Sequence, residues 1–138
     1  MVFHNGVLTN HETLNDKHCS WNENKVDTSV IVSMLQEEWV DIKCKKKTVT
    51  STEEINIIEK ICNRLEGTFA LAIINTTSLN VYLVRQGSTL FYDETGNYSS
   101  IQGKTMKELP EGKLFKLDRE FKFKEVGKFK SKSPFLIV

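Results

Sequence analysis

The sequence predicts an α+β protein, with helices first and an antiparallel sheet after them. Three observations carry that prediction. Apolar residues recur at helical spacing over 27–41 and again over 51–66. The spacing then changes near Gly67 to a period of two, or to continuous burial. Clusters of turn-forming residues at 76–78, 86–89 and 93–97 divide the rest of the chain into short strands. The 138 residues amount to one domain, and 39% of them are hydrophobic, with eight Phe and two Trp. That is enough apolar volume for a core without disulfides.

The elements run in order. Residues 2–8 read as a short strand broken by Asn5-Gly6. That pair is ordinarily a turn, but its apolar flanks fit a bulge or a close backbone approach equally well. Thr9 or Asn10 caps a short helix over 11–16, and 17–26 is polar and irregular. Asp27 caps a helix with Val30, Ile31, Met34 and Leu35 on one face, ending near 39–41 before a basic loop at 43–47. Ser51 and Glu54 match a capping box. The stripe Ile55, Ile58, Ile61, Cys62 and Leu65 makes the second helix, which Gly67 stops. Residues 68–75 form a strand covered on both faces, and 79–85 is its partner. Shorter strands are expected at 90–92 and 98–101, a helical turn at 105–109 closed by Pro110, and two final strands at 113–118 and 120–125. Residues 1–118 form the body of the domain and 119–138 its basic C-terminal strand or tail.

Composition narrows the function. No apolar run reaches the roughly 18 residues of a membrane span, and the first residues do not read as a signal peptide. The cysteines, Cys19, Cys44 and Cys62, are odd in number and show no C-x-x-C spacing. Neither a zinc site nor a disulfide framework is expected, and free thiols point to the cytoplasm. Lys43, Lys45, Lys46 and Lys47 around Cys44 would activate a thiol only if a partner were placed beside it. His4, His11 and His18 are spaced by seven, but Asn5-Gly6 and Asn15-Asp16 break the helix that would align them, so no metal is expected. The generic hydrolase, nucleotide and metalloprotease motifs are absent. From residue 113 onward eight Lys or Arg face three acids, a net +5 against −4 for the rest. Such a tail suits nucleic acid or an acidic partner, and it equally suits a solvated strand edge.

One stretch is more specific. His4-Asn5-Gly6, Asn10 and Leu14 resemble the H-N-G-x-x-x-N-x-x-x-L segment of class II glutamine amidotransferases. The likeness continues in order. Val26-Asp27-Thr28-Ser29-Val30-Ile31 resembles the family's S-D-T-E-x-I, and 65–72 resembles its L-x-G-x-x-A-x-A strand entry. Residues 81–85 with 88–92 resemble its L-x-L-x-R-D…P-L-Y hairpin, and Tyr98-Ser99-Ser100 stands at its small-residue strand. The resemblance covers 2–118.

It implies an N-terminal-nucleophile hydrolase fold, here a partial αββα sandwich with antiparallel sheets and two main helices. It implies oxyanion-hole roles for the Asn5 amide and the Gly6 N–H, where two fixed donors meet a tetrahedral intermediate. It implies that Asp27 binds a substrate α-amino group, and hence a glutamine-like small ligand. From the residues alone, Asn5-Gly6 is a turn and Asp27 a plain helix cap. The family's nucleophilic N-terminal cysteine and its carboxylate-binding arginine precede H-N-G and have no counterpart before His4. The leading expectation is therefore a glutaminase-like domain truncated before H-N-G. It would use no cofactor and would act through a protein partner or a second copy of itself on an exposed sheet edge. One alternative is half of a split amidotransferase whose front part comes from another chain. Another is a nucleic-acid or acidic-partner binder using the basic tail.

Overall fold

The structure, a computed structural model, describes residues 1–10, 12–14 and 27–131. Strand β1 (Val2–Leu8) is followed by helices α1 (Asp27–Lys45) and α2 (Ser51–Arg64). Seven strands come after them: β2 (Gly67–Ile74), β3 (Val81–Gln86), β4 (Phe91–Tyr92), β5 (Tyr98–Ser99), β6 (Lys107–Glu108), β7 (Lys113–Leu117) and β8 (Phe123–Lys128). They form an antiparallel five-stranded sheet in the order β1-β2-β3-β7-β8 and a three-stranded sheet in the order β5-β4-β6.

The alternation of side chains along β2 explains the layers. Phe69, Leu71 and Ile73 join Tyr82, Val84 and Leu114 on the face that receives Val30, Ile31 and Met34 of α1 and Ile58 and Ile61 of α2. Ala70 and Ala72 lie on the opposite face with Leu83 and Phe115, where Leu90, Tyr92 and Tyr98 of the small sheet pack. Tyr92 and Tyr98 meet Phe123 edge-on at 6.3 and 6.2 Å between ring centres. Among the described residues the order is helices, sheet, sheet, a partial αββα sandwich.

Several elements differ from the sequence reading for identifiable reasons. β1 is unbroken: Gly6, at φ +130°, lies in register opposite Phe69. A Cβ on Gly6 would stand 2.3 Å from the Thr68 carbonyl oxygen, and one on Gly67, at φ +121°, 2.3 Å from that of Val7. Asn5-Gly6 is thus a close backbone approach and not a turn. Gly67 correspondingly opens β2, and α2 ends on the extended Leu65. Helix α1 runs on into the supposed basic loop and ends at Lys45. There Lys43 stands 4.5 Å over the Trp39 ring, Lys45 pairs with Asp41, and both cations favour a helix C-terminus. The cap of α2 is shifted by one residue: Glu53 N–H donates to Thr50 Oγ1 at 3.2 Å, and Glu53 Oε1 accepts from Thr50 N–H. Leu79 turns at φ +64° and precedes β3, and Lys107–Glu108 is a strand against β4 where a helical turn was expected. The final strands are paired, and the strands divide into two antiparallel sheets, as the expected αββα sandwich requires. The short helix is described only at 12–14, where Leu14 N–H donates to Asn10 O. The expectations for His11, His18, Cys19 and 17–26 lie outside the described residues, as does the tail beyond 131.

The cap shift is testable. Thr50→Ala should cost about 1 kcal/mol in urea denaturation, while Ser51→Ala should stay within about 0.5 kcal/mol. The reverse order would restore Ser51 as the cap.

Candidate functional site

The family-like residues converge on the end of the β1–β2 pair where the two glycines meet. β1 turns alternate side chains to opposite sides, so His4 and Leu8 lie inward while Phe3, Asn5 and Val7 are exposed. Asn5 side-chain atoms make no hydrogen bond among the described residues. The space a Gly6 side chain would occupy is taken by Thr68 O and by Ser88 Oγ, 2.7 Å from a built Cβ. Thr68 is also the acceptor for Val7 N–H through its hydroxyl at 3.1 Å. Gly87, at φ +81°, packs on the Thr68 methyl, so three glycines surround one threonine.

Asp27 is the first residue of α1 and reaches β1 directly: its Oδ2 accepts from Leu8 N–H at 2.8 Å. The carboxylate therefore joins helix α1 to the edge strand just beyond Asn5-Gly6. Thr28, next along the helix, lies 3.5 Å from His4 Nδ1. The other ring nitrogen, Nε2, is buried without a hydrogen-bond partner. Burial pushes the His4 pKa below 6.5, opposed by the Asp27 charge and the Thr68 backbone. The site thus places the His4 imidazole, its pKa lowered by burial, within the field of the Asp27 carboxylate.

Other motif residues take structural roles. Asn10 clamps the α2–β2 junction: its Nδ2 donates to Arg64 O at 2.8 Å and its Oδ1 accepts from Glu66 N–H at 3.0 Å. Leu14 is buried in the helix-side core. Arg85, the arginine of the hairpin motif, is largely buried. It donates to Leu109 O and to Ser88 O and pairs with Glu108 and Glu111. Glu111 also accepts from Gly87 N–H at 2.9 Å, so this cluster fixes the loop that carries Ser88. The sequence signal for Arg85 was present in the motif; Thr68, Ser88 and Glu111 gave none, because their roles depend on strand pairing.

Of the described cysteines, Cys44 is exposed near the end of α1, and Cys62 is buried in α2 with its thiol pKa raised by desolvation. No group of His, Cys, Asp or Glu among the described residues has the arrangement of a metal site. No described helix is long and apolar enough to cross a membrane. In the basic C-terminal part, Lys113 and Lys124 pair with Glu125 and Asp118. Phe123 and Phe129 are core residues, which leaves Phe121 as the exposed ring of the three.

No family model matches the sequence. The glutamine–fructose-6-phosphate aminotransferase (isomerizing) of Methanococcus maripaludis is 32% identical over 77 residues, covering 54% of this chain and 12% of that protein. The glutamine phosphoribosylpyrophosphate amidotransferase of B. subtilis, solved with ADP and GMP, superposes with a TM-score of 0.67 at 18% identity. It matches 91% of this chain and 28% of its own. A structure described as the allosteric regulatory enzyme of purine biosynthesis gives 0.64 at 16% identity, with the same coverage. The chain thus spans a small part of each protein it resembles. Its fold is that of the part of these two structures that it superposes on, an α+β arrangement with antiparallel sheets.

The geometry yields two measurable outcomes. Gly6→Ala meets backbone on one side at a φ that L residues avoid, and should destabilise the fold by about 2 kcal/mol or more, read from the urea midpoint. His4 binds its proton less readily folded than unfolded. Stability should therefore be full above pH 6.5 and fall as the pH drops below it toward the depressed folded pKa. His4→Gln should flatten that part of the stability–pH curve, and an NMR titration midpoint for His4 at or above 6.5 would contradict the assignment.

Proposed function

We propose that this chain is a glutaminase-like domain that works by binding, with no amide hydrolysis of its own, and that β1 is where a partner strand docks. The observation that carries the reading is β1 itself. Its outer edge pairs with no strand among the described residues, and Val2–Leu8 contains no Lys, Arg, Asp, Glu or Pro. Phe3 and Val7 are 52% and 66% exposed along it. The opposite edge, β8, carries Lys124, Glu125 and Lys128, the usual protection against added strands. An uncharged edge with exposed apolar side chains suits strand addition by a second copy or another protein.

The lack of hydrolysis is supported by the chemistry at Asn5. Oxyanion-type donors and a carboxylate gather there without a thiol among the described residues. Amide hydrolysis in this manner needs a nucleophile as well as the donors. A glutamine-like molecule is the small ligand these groups suit, with its ammonium at Asp27 and its amide oxygen at Asn5 and Gly6.

A second reading has one observation in its favour. The Asn5 amide is exposed and uncommitted beside the open edge. A strand docked there from another polypeptide would bring its own residues up to Asn5, as in a split amidotransferase.

Ammonia release from glutamine decides between catalysis and binding. The purified chain should give none above the blank, whereas turnover abolished by Asn5→Ala or Asp27→Ala would overturn the proposal. The edge is read separately by sedimentation. The wild-type chain should associate at high concentration, and Phe3→Lys should return it to a monomer; association that survives both Phe3→Lys and Val7→Lys would move the interface elsewhere.

A further inference from the structure

A cavity lies at the end of the β1–β2 pair opposite Asn5-Gly6, between the two helices and the sheet. Its volume is about 790 Å³, within the range of small-molecule sites. Val2, Leu35, Trp39, Val40, Ile57 and Ile73 give it apolar walls. Glu54 on α2 also lines it and is only 4% exposed. Every group that holds this carboxylate is neutral. Ser78 Oγ donates at 2.9 Å, Tyr82 OH at 3.3 Å, and Asn80 Nδ2 at 3.3 Å to Oε1 and 3.1 Å to Oε2.

No Lys or Arg pairs with Glu54 among the described residues, and none lines this cavity. The other charged lining groups are Glu37 and the Met1 α-ammonium, which donates to Ile74 O at 2.8 Å, so acids outnumber cations in the lining by two to one. Lys43 and Lys47 border an adjoining cleft of about 210 Å³ that shares Trp39, Glu54, Asn75 and Thr77 with the cavity, and Lys43 is placed over the Trp39 ring. A carboxylate taken out of water with only neutral donors around it gains most from a cation. It offers about four acceptor positions, and Oε2 uses one, for Asn80.

We propose that this cavity binds a small hydrophobic ammonium, its cationic head at Glu54 and its apolar part against Trp39, Val40 and Ile57. Acidic lining disfavours a carboxylate of the same shape, and a neutral alcohol leaves the charge of Glu54 uncompensated. The site is separate from the Asn5–Asp27 end and does not depend on the function proposed for it.

Calorimetric titration with n-hexylammonium, 1-hexanol and hexanoate tests the assignment. The ammonium should bind at least about tenfold more tightly than the alcohol, a difference of about 1.4 kcal/mol, and hexanoate should not bind. Glu54→Gln, checked for folding by circular dichroism, should reduce the ammonium to the level of the alcohol. Equal binding of the ammonium and the alcohol, no binding of the ammonium, or a preference that survives Glu54→Gln would each overturn the proposal. If Glu54→Gln does not fold, amide shift mapping on the wild-type chain decides: shifts induced by n-hexylammonium must centre on Trp39, Val40, Ile57 and Tyr82. Shifts centred elsewhere, or a dimer that buries these residues and excludes the ammonium, would overturn it too.

Discussion

The approach of the β1 and β2 backbones at Gly6 and Gly67 is the constraint on which the rest of this end of the molecule depends. Each glycine removes a Cβ that would stand 2.3 Å from a carbonyl oxygen of the facing strand. With the strands that close, Leu8 N–H falls within reach of Asp27, and α1 begins where the strand edge ends. Thr9 N–H reaches Glu66 O at 2.8 Å, and Asn10 holds both sides of the α2–β2 junction. The two helices and the central strand are therefore referred to one short backbone contact. Side-chain packing fills the space behind it, with Phe69 and Leu71 directed to the helices.

Much of this was legible in the sequence, because the signals were local. The stripes of α1 and α2 and the apolar run of β2 appear where periodicity placed them. The ordered motifs singled out Asn5, Gly6 and Asp27 for ligand-binding roles; in the fold Asp27 accepts from Leu8 N–H of the strand that carries the other two. The misses share a cause: a long-range partner decided the outcome. Glu54 did not close a capping box with Ser51 because Ser78, Asn80 and Tyr82 claim its carboxylate inside the fold. Lys107–Glu108 became a strand because β4 was there to pair with it. The Asn5-Gly6 pair, read as a turn from the residues alone with a bulge or a close approach as alternatives, is a close approach because Thr68 stands across the ladder.

The two faces of the main sheet are built to different tolerances. Toward the helices it presents large side chains, and the cavity near Glu54 shows that they do not fill the space completely. Toward the small sheet it presents Ala70 and Ala72, and the aromatic rings of Tyr92, Phe115 and Phe123 interlock above them. Arg85 ties the loop between β6 and β7 to the Ser88 turn, so the small sheet and the Asn5 end are held by a common cation.

The pairing of β1 with β2 also has a consequence in time. Val7 N–H meets Thr68 across 61 residues of chain, and Met1 N meets Ile74 O across 73. At about 5–20 residues per second of synthesis, the first strand waits roughly 3 to 15 s before its partner exists. During that interval Phe3, Val7 and the bare strand edge have no template of their own. Contacts so distant along the chain also close slowly once both strands are present. The strand with the least protection against stray pairing thus waits while both helices are made, which places a hazard to this fold at its birth.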